Sequence, residues 1–310
     1  IVDGAVMDAG RVVDAVKDLL REQAVKVKDV VISVSGHSVI VKKISLPPMT
    51  EDELEESIKW EAEQYIPFDV NDVNIDFLIL PPGDAAGDGK ETMSVVLVAV
   101  KKDRLAEYTS LVMEAGLNPV VVDVDAFTLE NLYGMGYDVS PSEVIALVNI
   151  GASVMNIHII KGGNFSFTRD ISAGGNRYTE MIQRDLNVSY EVAEQAKRGE
   201  RVDGVSSEAL DGIIATMNTE LVAEIGRSFD YFRSTSTQET IDRVLLGGGT
   251  AKVPGLVPFM NERLGIPVDV IDPFRKIQVN SKLVDPDLLK AVGPQAAVVV
   301  GLAIRRPDDR

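Results

Sequence analysis

The sequence predicts an α/β fold, and three observations carry that expectation. Its 310 residues are enough for two domains, or one large one, burying about three quarters of the unfolded surface. Short Val- and Ile-rich runs alternate with amphipathic helical stretches along the chain. A triple glycine stands where a strand gives way to a loop before a helix, the usual place for a ligand in an α/β sheet. With 45% apolar and 25% charged residues, the composition excludes disordered, collagen-like and coiled-coil classes. The 48 acidic against 31 basic residues, a formal charge of -17, repel phosphate backbones and anionic lipid surfaces, so nucleic acid is not an expected partner. No Cys is present, which excludes a disulfide framework, a thiolate zinc site and a cysteine nucleophile, and two His (His37, His158) cannot make a histidine-rich metal site. No metal ligand and no catalytic residue are assigned.

The elements follow in order. Val12, Val13, Val16, Leu19 and Leu20 lie on one face of a helix expected over about 9–23. Residues 30–34 and 39–44 read as strands around the turn-forming Ser35-Gly36-His37-Ser38, hence a hairpin. Thr50 with Glu53 makes a capping box for a helix carrying Leu54, Ile58, Ala62 and Tyr65, stopped by Pro67. Strands at 75–80 and 95–100 flank a Gly/Pro/Asp-rich surface loop at 81–89, and Asp103 caps a helix ending at Gly116. A buried strand at 120–124 leads into a helix at 125–133 ended by Gly134. Strands at 144–150, 154–160 and 164–170, joined by tight links, imply an antiparallel meander. Ser189 caps a short helix ending near Lys197, and a long helix occupies 207–233. A strand at 243–246 runs into the glycines, and an apolar helix from about Gln295 closes the chain. The longest apolar run, 296–304, is nine residues, far short of the roughly 20 needed to cross a bilayer. The start, Ile1-Val2-Asp3-Gly4, has neither an initiator Met nor a basic region leading an apolar core, which predicts a cytoplasmic chain clipped at its N-terminus.

Four features are candidates for chemistry. The turn Asn149-Ile150-Gly151-Ala152-Ser153 can aim backbone N–H groups and a hydroxyl at an anion, or it is an ordinary hairpin turn. Gly247-Gly248-Gly249-Thr250 has more glycine than a turn needs, which suggests close approach or positive φ; Lys252 stands where a Rossmann fingerprint would have its third Gly, and no P-loop is present. Glu194 and Lys197, at i and i+3 on a helix, suit a ribose hydroxyl or each other. Trp60, the only Trp, falls on an acidic helix face and needs a cover, supplied either by the chain folding back at Pro67-Phe68 or by a partner or neighbouring domain.

In their order these signals resemble the actin-like ATPase superfamily, in which two ribonuclease-H-like halves enclose a nucleotide. By that resemblance the turn at 149–153 is similar to the second phosphate loop and Gly247 to Thr250 to the adenosine loop. Asp123-Val124-Asp125-Ala126-Phe127 and residues 293–303 are similar to the two connecting helices, and Glu194 and Lys197 fall where the family holds adenosine. Within the superfamily the chain resembles the PilM family of type IV pilus assembly, related to the division protein FtsA. The residues that carry this are Val31-Ile32-Ser33-Val34-Ser35-Gly36, Lys59-Trp60-Glu61-Ala62-Glu63-Gln64-Tyr65-Ile66-Pro67-Phe68, and Ile171-Ser172-Ala173-Gly174-Gly175 leading to Ala193-Glu194 and Lys197.

The resemblance implies an actin-like ATPase fold in which 29–118 is an inserted 1C-type α+β subdomain. Subdomain 1A would take 1–28 and 119–141, subdomain 2A 142–175 and 241–290, and subdomain 2B 176–240, with 291–310 a terminal helix returning to 1A. The implied function is that of a cytoplasmic ATP-binding adaptor with Mg2+ as cofactor. Such an adaptor docks on the cytoplasmic N-terminal tail of the inner-membrane protein PilN and links the PilN/PilO/PilP platform to the PilB and PilT motors; a ring-like homo-oligomer is also implied. Two departures bear on turnover. The family's Asp-x-Gly-Ser first phosphate loop has no counterpart before the helix at 9–23, and Asn149 replaces an Asp that helps position Mg2+, so weak or absent hydrolysis is expected. The rivals are an FtsA-like filament protein, which would end in a membrane-targeting helix rather than Arg305-Arg306-Pro307-Asp308-Asp309-Arg310, and a sugar-kinase-type phosphotransferase.

Overall fold

A computed structural model describes residues 6–81, 92–236, 239–280, 282, 284–307 and 309. The loop expected at 81–89 therefore lies, past its first residue, outside the described residues. The chain divides into two units, Ile1–Asp125 with Asn164–Thr168 and Arg305–Arg310, and Ala126–Gly163 with Arg169–Ile304.

In the first unit, α1 (Ala9–Glu22) is capped by Asp8, whose carboxylate accepts from Arg11 N at 3.0 Å. β1 (Asp29–Val34) does not form a hairpin with β2 (Val39–Leu46). It pairs in parallel with β5 (Asn118–Val124), Ile32 opposite Val122, whereas β2 joins an antiparallel sheet of order β2-β4-β3 with β3 (Val73–Ile79) and β4 (Met93–Lys101). The turn chemistry at 35–38 is real, since Gly36 has φ +82°, but it reverses the chain from one sheet into another. The signal for this was present: 30–34 and 119–124 are near-continuous apolar runs, the pattern of parallel strands, while β2 buries one face only.

Helix α2 (Glu51–Ala62) forms as its capping box requires, with Thr50 Oγ1 accepting from Glu53 N and Glu53 returning to Thr50 N at 2.8 Å. It seats Leu54, Ile58 and Ala62 against Ile44, Leu46, Val95, Leu97 and Ala99 of the antiparallel sheet. Lys101 N then donates to Ser38 O at 3.0 Å, so this module leaves close to where it began. Helix α3 (Lys102–Glu114) is not capped by Asp103, which sits in its first turn; Lys101 holds the N-cap position without a side-chain bond.

The second unit contains β6 (Val144–Ile150), β7 (Met155–Lys161), β9 (Arg243–Gly247), β10 (Val268–Val270) and the last three residues of β8 (Asn164–Ile171), in a sheet of order β10-β9-β6-β7-β8. The expected meander holds for β6 and β7, which are antiparallel, while β9 pairs with β6 and β10 with β9 in parallel. Helix α4 (Asp125–Gly136) runs two residues past Gly134, because Leu129, Leu132 and Tyr133 pack into a core with Ile145, Leu147, Leu245 and Ile271. α10 (Ala297–Ala303) adds Ala297 and Val300 to the same core. The helices α5 (Gly175–Leu186), α6 (Tyr190–Lys197) and α7 (Ser207–Thr235) follow β8; Tyr178 of α5, fully buried, donates to Asn218 Oδ1 of α7 at 2.8 Å. α8 (Leu256–Leu264) and α9 (Pro286–Val292) complete the unit. Among the described residues no helix is long and apolar enough to cross a membrane.

Gly226 lies in the middle of α7, and a β-carbon there would meet nothing within 4 Å. Gly226→Ala is therefore expected to stabilise the protein by about 0.5–1 kcal/mol through helix propensity, read as a higher urea midpoint at unchanged slope.

Candidate functional site

The candidate residues from three distant segments meet in the second unit. In the parallel β6–β9 register Asn149 stands opposite Gly247, so the turn after β6 and the glycine run after β9 leave the sheet side by side. The turn closes through Gly151 N donating to Val154 O at 2.9 Å. Thr250 Oγ1, on the 3-10 turn Gly249–Lys252, donates to Gly151 O at 2.9 Å and ties the two loops across 99 positions of sequence.

The glycine run does have a close visitor, but at Gly248 it is the chain itself. Gly248 has φ +86°, and a β-carbon there would stand 2.5 Å from Ile150 C and 2.7 Å from Ile150 N. Its N–H donates to Pro294 O at 2.7 Å. At Gly249 a β-carbon would come within 3.1 Å of Gln295 Nε2. Ligand access thus explains less of this glycine content than loop-on-loop packing does. Donors remain nonetheless: among the described residues the N–H groups of Ala152, Ser153 and Gly249 have no acceptor, and Ala152 is exposed.

Gly174 and Gly175, absent from the candidate residues above, belong to the same junction, and their sequence signal is a Gly-Gly pair opening a helix. Gly175 N donates to Gly151 O at 2.9 Å and Asn176 N to Ala152 O at 2.8 Å, docking the first turn of α5 on the 149–153 turn. A β-carbon on Gly174 would lie 2.5 Å from Gly151 O, and one on Gly175 2.7 Å from Thr250 Oγ1 and 3.4 Å from Lys197 Nζ.

Glu194 and Lys197 take the second of their two expected roles and pair with each other, their side chains 17% and 12% exposed. Lys197 Nζ also donates to Thr179 Oγ1 at 2.9 Å and Gly175 O at 3.3 Å, and the Thr179 hydroxyl bonds Glu194. Burial pushes the Glu194 carboxyl up, but the bonds from Lys197 and Thr179 and the charges of Lys197 and Arg198 outweigh it and hold it below its ordinary 4.5. A depressed carboxylate contributes stability above 4.5 and loses it as pH falls through the lower folded value. Lys197→Met is therefore expected to cost about 2 kcal/mol at neutral pH by stranding a partly buried charge. The deficit should shrink below pH 4.5, where Glu194 takes up a proton, as urea unfolding at a series of pH values would record.

Asn149 donates from Nδ2 to Asn156 Oδ1 at 3.1 Å, and Asn156 Nδ2 donates to Asp170 Oδ1 at 2.8 Å. Of the segments likened to connecting helices, 123–127 spans the end of β5 and the start of α4, and 293–303 is a 3-10 turn followed by α10. Within the first unit Asp125 accepts from Ser33 Oγ at 2.6 Å and Asp123 pairs with Arg305 at 2.8 Å. Trp60, also in the first unit, is 73% exposed. The chain does not fold back over it, because Phe68 packs on the antiparallel-sheet core with Lys101 Nζ 4.3 Å from its ring centre.

The family described as Type IV pilus assembly protein PilM matches residues 1–307. Among solved structures, the chain is similar to one described as a PilM-PilN type IV pilus biogenesis complex, at 29% identity and a TM-score of 0.86, over 100% of this chain and 88% of that one. It is also similar in fold to MreB5 of Spiroplasma citri bound to ADP, at 14% identity and a TM-score of 0.53, over 98% of this chain and 77% of that one.

Proposed function

The chain belongs to the PilM family of type IV pilus assembly proteins and has the actin-like ATPase fold, and from that membership we propose that it is an ATP-binding adaptor. The observation that carries the reading is the junction of two loops: a turn and a glycine run, bonded through Thr250 and Gly151, with N–H donors unclaimed on both sides. A nucleotide bound there would supply phosphate oxygens as acceptors and a metal ion as counter-charge. The residues fit the phosphates, since Ala152, Ser153 and Gly249 present N–H groups and the Ser153 hydroxyl adds a donor. They fit the metal ion less well, because Asn149 brings no charge, and hydrolysis by this chain is accordingly weak or absent. Gly247, Gly248, Gly151 and Thr250 shape the cradle, and Glu194 and Lys197 brace it through Gly175 and Thr179. The subdomain reading is kept with it: 29–118 as the inserted 1C module, 142–175 and 241–290 as 2A, 176–240 as 2B.

The partner in this reading is the cytoplasmic tail of a PilN-type inner-membrane protein, and membrane contact is made through that partner's anchor. The PilO/PilP platform and the PilB or PilT motor would be reached through the same assembly. An exposed indole in a charged helix face is what supports Trp60 as part of the docking surface.

Two measurements test the proposal. ATP with Mg2+ should raise the melting temperature of the full chain, and no shift at millimolar nucleotide would count against binding. Titration of a PilN tail peptide should shift Trp60 emission to shorter wavelength as the ring leaves water. Saturated binding without a shift would remove Trp60 from the surface, and equal peptide affinity with and without ATP would show that the sites are uncoupled.

A further inference from the structure

Asn149, the next-to-last residue of β6, stands opposite Gly247 of the glycine run, and its side chain is not free to turn. An amide can be rotated end for end within the same space, whereas a carboxylate accepts hydrogen bonds and does not donate them. Asn156, 2% exposed and opposite Asn149 in the β6–β7 register, meets the Asp170 carboxylate at 2.8 Å. Asp170 therefore dictates that Asn156 points its NH2 group towards β8 and its carbonyl oxygen towards Asn149. That oxygen can only accept, so Asn149 must offer it its own NH2 group, 3.1 Å away. What remains is the carbonyl oxygen of Asn149. It lies 3.4 Å from where a β-carbon on Gly247 would stand, and no donor among the described residues bonds it.

We propose that the chain Asp170–Asn156–Asn149 imposes one direction on two amides, with Asp170 as the positioning residue, so that Asn149 presents an oxygen and never an NH2 group along the glycine run. The ligand for that oxygen is a hard divalent cation, or its water shell, carried by a bound nucleotide, since such cations accept neutral amide oxygens as well as carboxylates. This rests on the nucleotide reading above. The residue that lacks a charge is thereby kept in its one metal-compatible orientation, by a carboxylate two hydrogen bonds away.

The test uses the full chain and two variants. Asp170→Asn keeps the shape but can donate or accept, so the direction is lost; Asn149→Ala removes the oxygen and identifies its resonance. In 15N-labelled protein the Asn149 side-chain NH2 should exchange slowly with water in the parent and several-fold faster in Asp170→Asn. By calorimetry with ADP, the gain in affinity on adding Mg2+ should fall about fivefold in both variants, the size expected for one hydrogen-bond-grade contact, while Asp170→Asn binds ADP without metal as the parent does. A merely structural role for Asp170 would weaken metal-free binding equally and overturn the assignment. So would unchanged amide exchange, or a full Mg2+ gain in Asp170→Asn. Failure of the parent chain to bind ADP at all would refute the nucleotide reading and with it the metal role, while the amide measurement still decides whether Asp170 sets the direction.

Discussion

Gly301→Ala is expected to destabilise the protein by about 3 kcal/mol or more, although the substitution adds a single methyl group. A β-carbon at 301 would stand 2.6 Å from Thr128 C and 3.0 Å from Thr128 Cα, main-chain atoms of α4. Ordinary overpacking costs about 1–3 kcal/mol because side chains rotate aside, and here the obstacle is backbone. Relief requires α10 and α4 to part, and both helices carry the core they share: Leu129 and Leu132 from one, Ala297 and Val300 from the other. Urea unfolding followed by circular dichroism should show the loss as a lower midpoint. A variant within about 0.5 kcal/mol of the parent would mean that this crossing is much looser than described.

Gly248→Ala should be comparably costly, about 3–4 kcal/mol, for two reasons that add. Alanine at φ +86° carries about 1–2 kcal/mol of backbone strain, and its methyl group would collide with Ile150 C and N. The loss differs in kind from that at 301, because the strain falls on the contact that joins the glycine run to the 149–153 turn. Nucleotide affinity should therefore drop with stability in Gly248→Ala, whereas Gly301→Ala, if folded at low temperature, should keep more of it. A folded Gly248→Ala protein with parental affinity would detach that contact from binding.

Much of the fold could be read from local chemistry. The capping box at Thr50 and Glu53, the Ser189 cap and the 3.6-residue stripe of α7 each specify an element without outside help, and each forms as expected. Readings that needed a distant partner fared differently. Ser35 to Ser38 looks like a hairpin turn because turn residues report how the chain reverses, not which strand it then meets. Gly134 looks like a helix stop, yet packing by Tyr133 and Tyr137, stacked 5.4 Å apart, carries α4 beyond it. At the site, the sequence indicated Gly248 as a point of close approach, and only the fold reveals that Ile150 is what approaches. Asn156 and Asp170 gave no motif at all, because the bonds that matter run across strands rather than along them.

The bond from Lys101 N to Ser38 O has a consequence for biosynthesis. Strands β2, β3 and β4 with α2 form a detour whose strand pairings and core cluster are all supplied before residue 102 is reached. β1, made earlier, must wait for β5 at 118–124 before either of its edges is paired. On the ribosome the later-numbered module can thus mature first, while a Val-rich strand upstream of it stays open to foreign pairing. Because the detour enters and exits at one point, evolution can lengthen, trim or exchange it between relatives while leaving the β1–β5 pair undisturbed.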